Sequence, residues 1–296
     1  MNSSPPDDAA HTAWSDPGSH APRLRELPGD AAALPSALEG LVSHFNVARA
    51  LGRPMAPDAE RDRLARGTAR ILDILFARDP RPLTQAREPA ARFHGNCRDF
   101  ALLSAAVLRA HGIPARVRVG FASYLAPGRW EDHWICEHWT GTRFARLDAQ
   151  LGPGARAHLD VTFDVADLPD EAFRTAPAIW RAIRAGTLDA GICGISFAGV
   201  YGGWFVAKSV LADAAALAGI ETLASEGWGP GLAWGRERRV PEDEARALDA
   251  LAAELDPAPR TRAAARGVLA RHDWARPTPT VVNWLLDRPL EAALEP

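Results

Sequence analysis

Gly95-Asn96-Cys97 runs straight into a strongly apolar helical stretch, and three strand-like segments follow before Gln150. This succession constrains the fold more than any other part of the chain. From Cys97 to His111, Phe100, Leu103, Ala106, Val107 and Ala110 recur at spacings of three and four, which predicts a helix with a broad buried face. Gly112 and Pro114 end it in the usual order. Ala115 to Ser123 alternates, with Val117, Val119 and Phe121 on one side and Arg116 and Arg118 on the other until Gly120. Ala126, Pro127 and Gly128 form a loop, and Glu131–Trp139 and Arg143–Ala149 read as two more strands. A strongly apolar helix followed by successive strands reads as a mixed α+β fold.

Cys97 opens the helix rather than lying on its apolar face. A free thiol has a pKa near 8.5, and the positive end of the helix dipole favours the thiolate. The Cys97 amide also points where a carbonyl oxygen under attack would gain charge, which makes it a natural oxyanion donor. Asp99, in the same turn, is expected to cap the helix or join a structural pair. The competing reading is that Cys97 is simply a small core residue.

The strands supply two partners. If Thr140-Gly141 is a two-residue hairpin turn, opposed residues have numbers summing to 281, and His133 faces Asp148. Cross-strand partners share a face and bring their Cβ atoms to about 5 Å, within reach of a His–Asp hydrogen bond. A slip of one residue would separate them. By the same alternation His138 and Cys136 point away from His133, while Glu131, Ile135, Glu137 and Trp139 share its side. Asn96 and Gln85 are candidates for the second oxyanion donor. His94 and Trp139 are candidates for lining the cleft, and His111 suits a helix C-terminus without further role. A metal site of Asp132, His133 and His138 is disfavoured, because residues 133 and 138 diverge on a strand.

Elsewhere the pattern is mostly helical. Residues 1–30 are rich in Pro, Asp and Ser with few large apolar groups, so a loose leader is expected, with Trp14 able to dock. Helices are predicted over 34–51 and 57–77, then a loop over 85–94. Residues 160–163 read as a short strand or loop. Later helical patches fall at 171–185, 203–224, 241–255 and 260–272, with a weaker one near 279–286, separated by glycine-rich breaks. Six of the ten tryptophans lie after residue 153, which suggests a covered, aromatic cleft. No fixed-period repeat is present.

A net charge of -3 without a basic stripe argues against nucleic acid as a partner. Three cysteines without a CxxC pair suit neither a disulfide framework nor a structural zinc site, so a reducing, cytoplasmic setting is expected. No secretion signal and no apolar run of about 18 residues is seen, so no membrane association is expected. Lys208 is the one lysine, so no other lysine can act in catalysis.

The segments GNCRDFALLSAAVLRAHGIPARVRVGF, DHWICEHW and RFARLDAQL together resemble the transglutaminase-like superfamily. The resemblance covers roughly residues 60–150 and matches in order and spacing, 36 residues from Cys97 to His133 and 15 more to Asp148. It implies a papain-like core, a cysteine-bearing helix packed on an antiparallel sheet, with Cys97 as nucleophile, His133 as base and Asp148 as orienting acid. The helical tail is similar to that of bacterial proteins with this core and adds no chemistry. Calcium regulation is not implied, and no metal or cofactor is called for.

The expected organisation is therefore a disordered tail (1–30), a transglutaminase-like core with N-terminal helices (31–165) and a helical extension packed on it (166–296). The expected activity is cysteine-dependent acyl transfer through a thioester. The substrate is an amide- or ester-bearing peptide or small molecule, and the acceptor is an amine or water. The alternatives are a cysteine protease or amidase, and a binding domain that keeps the fold without the chemistry.

Overall fold

The structure is a computed structural model and describes residues 8–285 and 290–296. It divides into two units. Unit 1 comprises Met1–Val117, Ile135–Leu168 and Pro296, and unit 2 comprises Arg118–Trp134 and Pro169–Glu295. One break, between Leu168 and Pro169, falls near the expected boundary between residues 165 and 166, and Arg118–Trp134 also belongs to unit 2.

Unit 1 holds, in order, α1 (Ala21–Leu24), α2 (Leu34–Glu39), β1 (Val42–His44), α3 (Phe45–Ala50), α4 (Ala59–Asp62), α5 (Thr68–Arg78), β2 (Phe93–Gly95) and α6 (Cys97–Ala110). β3 (Ala115–Ala122) begins in it, and β4 (Trp130–Trp139) ends in it, followed by β5 (Phe144–Leu147) and α7 (Pro153–Leu159). The predicted helix over Cys97–His111 is present, and every residue from Cys97 to Arg109 is buried. Two predicted helices are broken. Within 34–51, β1 lies between α2 and α3 and pairs in parallel with β2. The apolar spacing runs through the break because Leu38 in α2, Leu41 just ahead of β1, and Phe45 and Ala48 in α3 are all buried. Within 57–77, Gly67 is extended and Thr68 N–H donates to Trp14 O (2.7 Å), so the helix restarts as α5. α7 precedes residues 160–163, the segment read as a short strand or loop.

The loose leader is corrected over residues 8–30, and residues 1–7 lie outside the described residues. Trp14, Leu24 and Leu27 are buried, and Arg109 on α6 donates to Ser15 Oγ (2.8 Å) and Thr12 Oγ1 (3.4 Å). Polar anchoring of this kind leaves no trace in an apolar count.

Unit 2 continues with β6 (Phe173–Thr175), α8 (Ala176–Arg184), β7 (Cys193–Ile195), β8 (Val200–Tyr201), α9 (Gly203–Leu217) and β9 (Glu226–Gly227). It ends with α10 (Pro230–Glu237), α11 (Glu242–Leu255), α12 (Arg262–Arg271), β10 (Thr280–Asn283) and β11 (Leu290–Ala293). Its main sheet has the order β6-β3-β4-β7-β8, and β9, β10 and β11 form a second, antiparallel sheet. At Gly120 a Cβ would stand 2.2 Å from Arg174 O, so only glycine permits the approach of β6 to β3. α9 is apolar nearly all round and forms the centre of the helical layer, packed by α8, α10, α11 and α12.

Three tryptophans expected to line a cleft belong to this core instead. Trp180, Trp228 and Trp234 are buried, and their indole N–H groups donate to Asp249 Oδ1 (2.8 Å), Ala275 O (3.0 Å) and Glu244 Oε2. The weak helix near 279–286 is β10 over its first half, and residue 286 lies outside the described residues. α10 occupies part of what reads as a glycine-rich break.

Candidate active site

Cys97 is the first residue of α6, and the turn before it is fixed by reciprocal capping. Asn96 Oδ1 accepts from the Arg98 amide (3.0 Å), and Asp99 Oδ2 accepts from the Asn96 amide (2.9 Å). The amides of Asp99 and Phe100 donate to Asn96 O. The Cys97 amide alone in this turn makes no hydrogen bond among the described residues. Asp99 also pairs with Arg98 (3.0 Å), and burial pushes its carboxyl above the usual range against the attraction of that guanidinium. Asp99 is thus both cap and structural pair, and Asn96 is engaged as a cap through its side chain.

β5 turns out of the sheet at Asp148. The ladder pairs Cys136 with Leu147 and Trp139 with Phe144, so opposed numbers sum to 283 rather than 281. The turn is not the two-residue Thr140-Gly141 hairpin, because Thr140 N–H donates to Arg143 O (2.9 Å) and residues 140–143 lie outside the ladder. Continued by one step, the register sets Asp148 opposite Ile135, not His133. The expected direct pairing of His133 with Asp148 is therefore corrected, and Asp148 lies one residue past the end of the ladder. Asp148 is buried; its amide donates to Val165 O (2.9 Å) and its Oδ1 accepts from Gln150 N–H (2.9 Å).

His133 is buried at the centre of β4, in the part that belongs to unit 2. The Tyr124 ring meets it edge-on at 6.0 Å. Two residues earlier on the same side of the strand, Glu131 accepts from Ser196 N–H (2.9 Å) and from its hydroxyl. Asp132 lies on the opposite side, and burial pushes its carboxyl up to about 6 despite the Lys208 ammonium and His133.

The remaining candidates are placed as follows. His94 is in β2, not a loop, and is fully buried with its amide on Asp62 Oδ2 (2.7 Å) and Nδ1 3.4 Å from the same oxygen. Asp62 also receives two bonds of 2.7 Å from Arg78. Burial raises its pKa, but His94 and Arg78 outweigh that and hold the carboxyl below the usual range. His94 thus belongs to a structural cluster in unit 1 whose carboxylate the sequence reading missed. Gln85 is exposed, and its carbonyl accepts from Arg87 (2.8 Å). Trp139 ends β4 with an edge contact to Phe144 at 5.4 Å. His138 is half-buried, its Nε2 3.1 Å from Ala166 O. Among the described residues no group of three or more His, Cys, Asp or Glu side chains could hold a metal ion, and no helix is long and apolar enough to cross a membrane.

Residues 70–149, from α5 to just past β5, match the transglutaminase-like superfamily. The chain therefore carries a transglutaminase-like segment, and Cys97, His133 and Asp148 all lie inside it. The match ends before α7, so the rest of the helical half stands outside the transglutaminase-like segment. No curated protein and no solved structure matches the chain.

Two of the three thiols are held protonated by their surroundings. Burial pushes those of Cys136 and Cys193 up to about 12, so both are thiols at neutral pH. Iodoacetamide at pH 7 should alkylate Cys97 alone in the folded protein and all three after denaturation. Peptide mapping checks this; labelling of Cys136 in the native state would contradict the burial described here.

Proposed function

We propose that the protein is a cysteine-dependent acyltransferase or hydrolase that works through a thioester at Cys97. Cys97 attacks an amide or ester carbonyl. His133 takes the thiol proton and returns it to the leaving group, while Asp148 orients the imidazole. An amine or water then resolves the acyl-enzyme. The observation that carries this reading is the turn at Cys97. The sulfur-bearing residue begins a capped helix of 14 residues, and its own amide is left open for an oxyanion. Support also comes from the match over residues 70–149, within which Cys97, His133 and Asp148 all fall in the order the resemblance implies.

The acceptor is read best as an amine, by likeness to the superfamily, with hydrolysis of a peptide or small amide as the second reading. The test is intact-mass spectrometry of the protein after exposure to a panel of amides and activated esters. A single acyl adduct mapped to Cys97, released by hydroxylamine, is the expected result. Decay of the adduct with and without added primary amines then separates transfer from hydrolysis. No adduct from any ester, with Cys97 intact and alkylatable, would leave the fold as a binding domain.

A further inference from the structure

We propose that Phe197 is a specificity-determining residue for the acyl donor, contacting an apolar group of the substrate beside His133. The inference rests on the reading of His133 as the base. Phe197 is 72% exposed, whereas the other exposed large apolar side chains lie between 40% and 47%. It stands in the short turn Ser196–Ala198 between β7 and β8. Ile195 and Val200, on either side of that turn, pack against the buried core of unit 2. The hairpin thus uses its other large aliphatic groups for packing and leaves one ring in water.

The turn is held on the strand that carries His133. β7 runs parallel to β4, with Cys193 beside Trp130 and Gly194 beside Glu131. Continued by two steps, this register brings Ser196 level with His133. The Ser196 amide donates to Glu131 Oε2 (2.9 Å) and its hydroxyl to Glu131 Oε1. Charge-assisted bonds from a buried carboxylate fix the turn in place. Alternate residues on a strand share a side and stand about 7 Å apart, so Glu131 ties the turn one such step from His133. Phe197 is the next residue along the chain. At Gly194 a Cβ would stand 1.9 Å from Val200 O, so only glycine lets the hairpin close this tightly. The ring is presented from a fixed backbone, which lowers the ordering cost of a contact with a ligand.

The surroundings name the occupant. Ser196, Ala198 and Gly199 beside Phe197 are small or polar, so the exposed apolar area of the turn is that of one ring, too little for a protein interface. It matches a single apolar group of a ligand. A second aromatic ring, that of the half-buried Tyr124, meets the imidazole edge-on at 6.0 Å. Both oxygens of Glu131 are engaged by Ser196, so an apolar contact rather than a charge leads recognition at this turn. The acyl donor is therefore one that carries a phenyl-sized or branched aliphatic group close to its reacting carbonyl.

The test is acylation of Cys97 in the full chain by p-nitrophenyl acetate and by p-nitrophenyl 3-phenylpropanoate, followed by release of p-nitrophenolate and mapped by mass. The thiolate sulfur bonds to the acyl carbon and the nitrophenolate leaves with the bonding pair, so no other reagent is consumed. Each rate constant is divided by that of free cysteine with the same ester, which removes the intrinsic reactivity of the two esters. The phenylpropanoate should then exceed the acetate by about tenfold or more in the wild type, the discrimination one apolar contact supplies. Phe197→Ala should bring the ratio to within about twofold of unity, and Phe197→Leu should keep most of it. Val47→Ala, at an exposed apolar position of unit 1, should leave the ratio unchanged. A wild-type ratio near unity, or a ratio unaltered in Phe197→Ala, would overturn the proposal and leave the thioester reading standing. Absence of any adduct on Cys97 from either ester would instead end the thioester reading and this inference with it.

Discussion

Cys97→Ser should lower turnover of any substrate found by acyl trapping by about 10⁴-fold or more while leaving the thermal unfolding midpoint nearly unchanged. A serine hydroxyl at the head of α6 keeps the size of the side chain but stays protonated at neutral pH, and the dipole of a 14-residue helix cannot make up that difference. The Cys97 amide would still be open, so substrate binding, read as Kd or KM, should change little. Groups that act as one unit are strongly non-additive, so Cys97→Ser combined with His133→Ala should be no worse than either single variant. That pattern is what a purely structural role could not produce. Undiminished turnover in Cys97→Ser would end the thioester reading.

Asp213→Ala should cost about 3–5 kcal/mol of stability, a large share of the 5–15 kcal/mol typical of a folded chain. Asp213 on α9 accepts from Arg118 Nε and Nη2, both at 2.9 Å, and from the Val119 amide at 2.8 Å. Both side chains are buried. Removing the carboxylate strands a guanidinium and an amide in an apolar interior, which costs far more than the pair contributes against an apolar replacement. The paired change Arg118→Met with Asp213→Leu should therefore recover most of the loss. Denaturant midpoints at constant m-value check both. A single-variant loss under about 1 kcal/mol would mean that water reaches the pair.

The same pair shows where sequence reading stops. Arg116 and Arg118 alternate with Val117 and Val119, and alternation places them on a polar face. Both are buried, with Arg116 on Glu137 (2.7 Å) and Arg118 on Asp213. Periodicity reveals which residues share a side, not whether that side meets water or a distant carboxylate. α6 was legible because its pattern, cap and stop all agree. The β4–β5 hairpin was legible in its existence but not its register: Gly141 does take a left-handed φ of 100°, but the four-residue turn rests on a Thr140–Arg143 backbone bond invisible in the residue types. Trp180, Trp228 and Trp234 drew attention as aromatic lining, but each ring is buried and its indole N–H is taken by Asp249, Ala275 or Glu244. β1 and β2 are three residues each, too short for any period to register.

The near absence of lysine bears on any enzyme that stores an activated acyl group. Arginine stays protonated throughout the accessible pH range and is no nucleophile. With a single lysine, partly buried, the chain offers its own thioester almost no side-chain amine to consume it. Such a catalyst would not cross-link copies of itself, even when crowded, and its loaded form would wait for an outside acceptor.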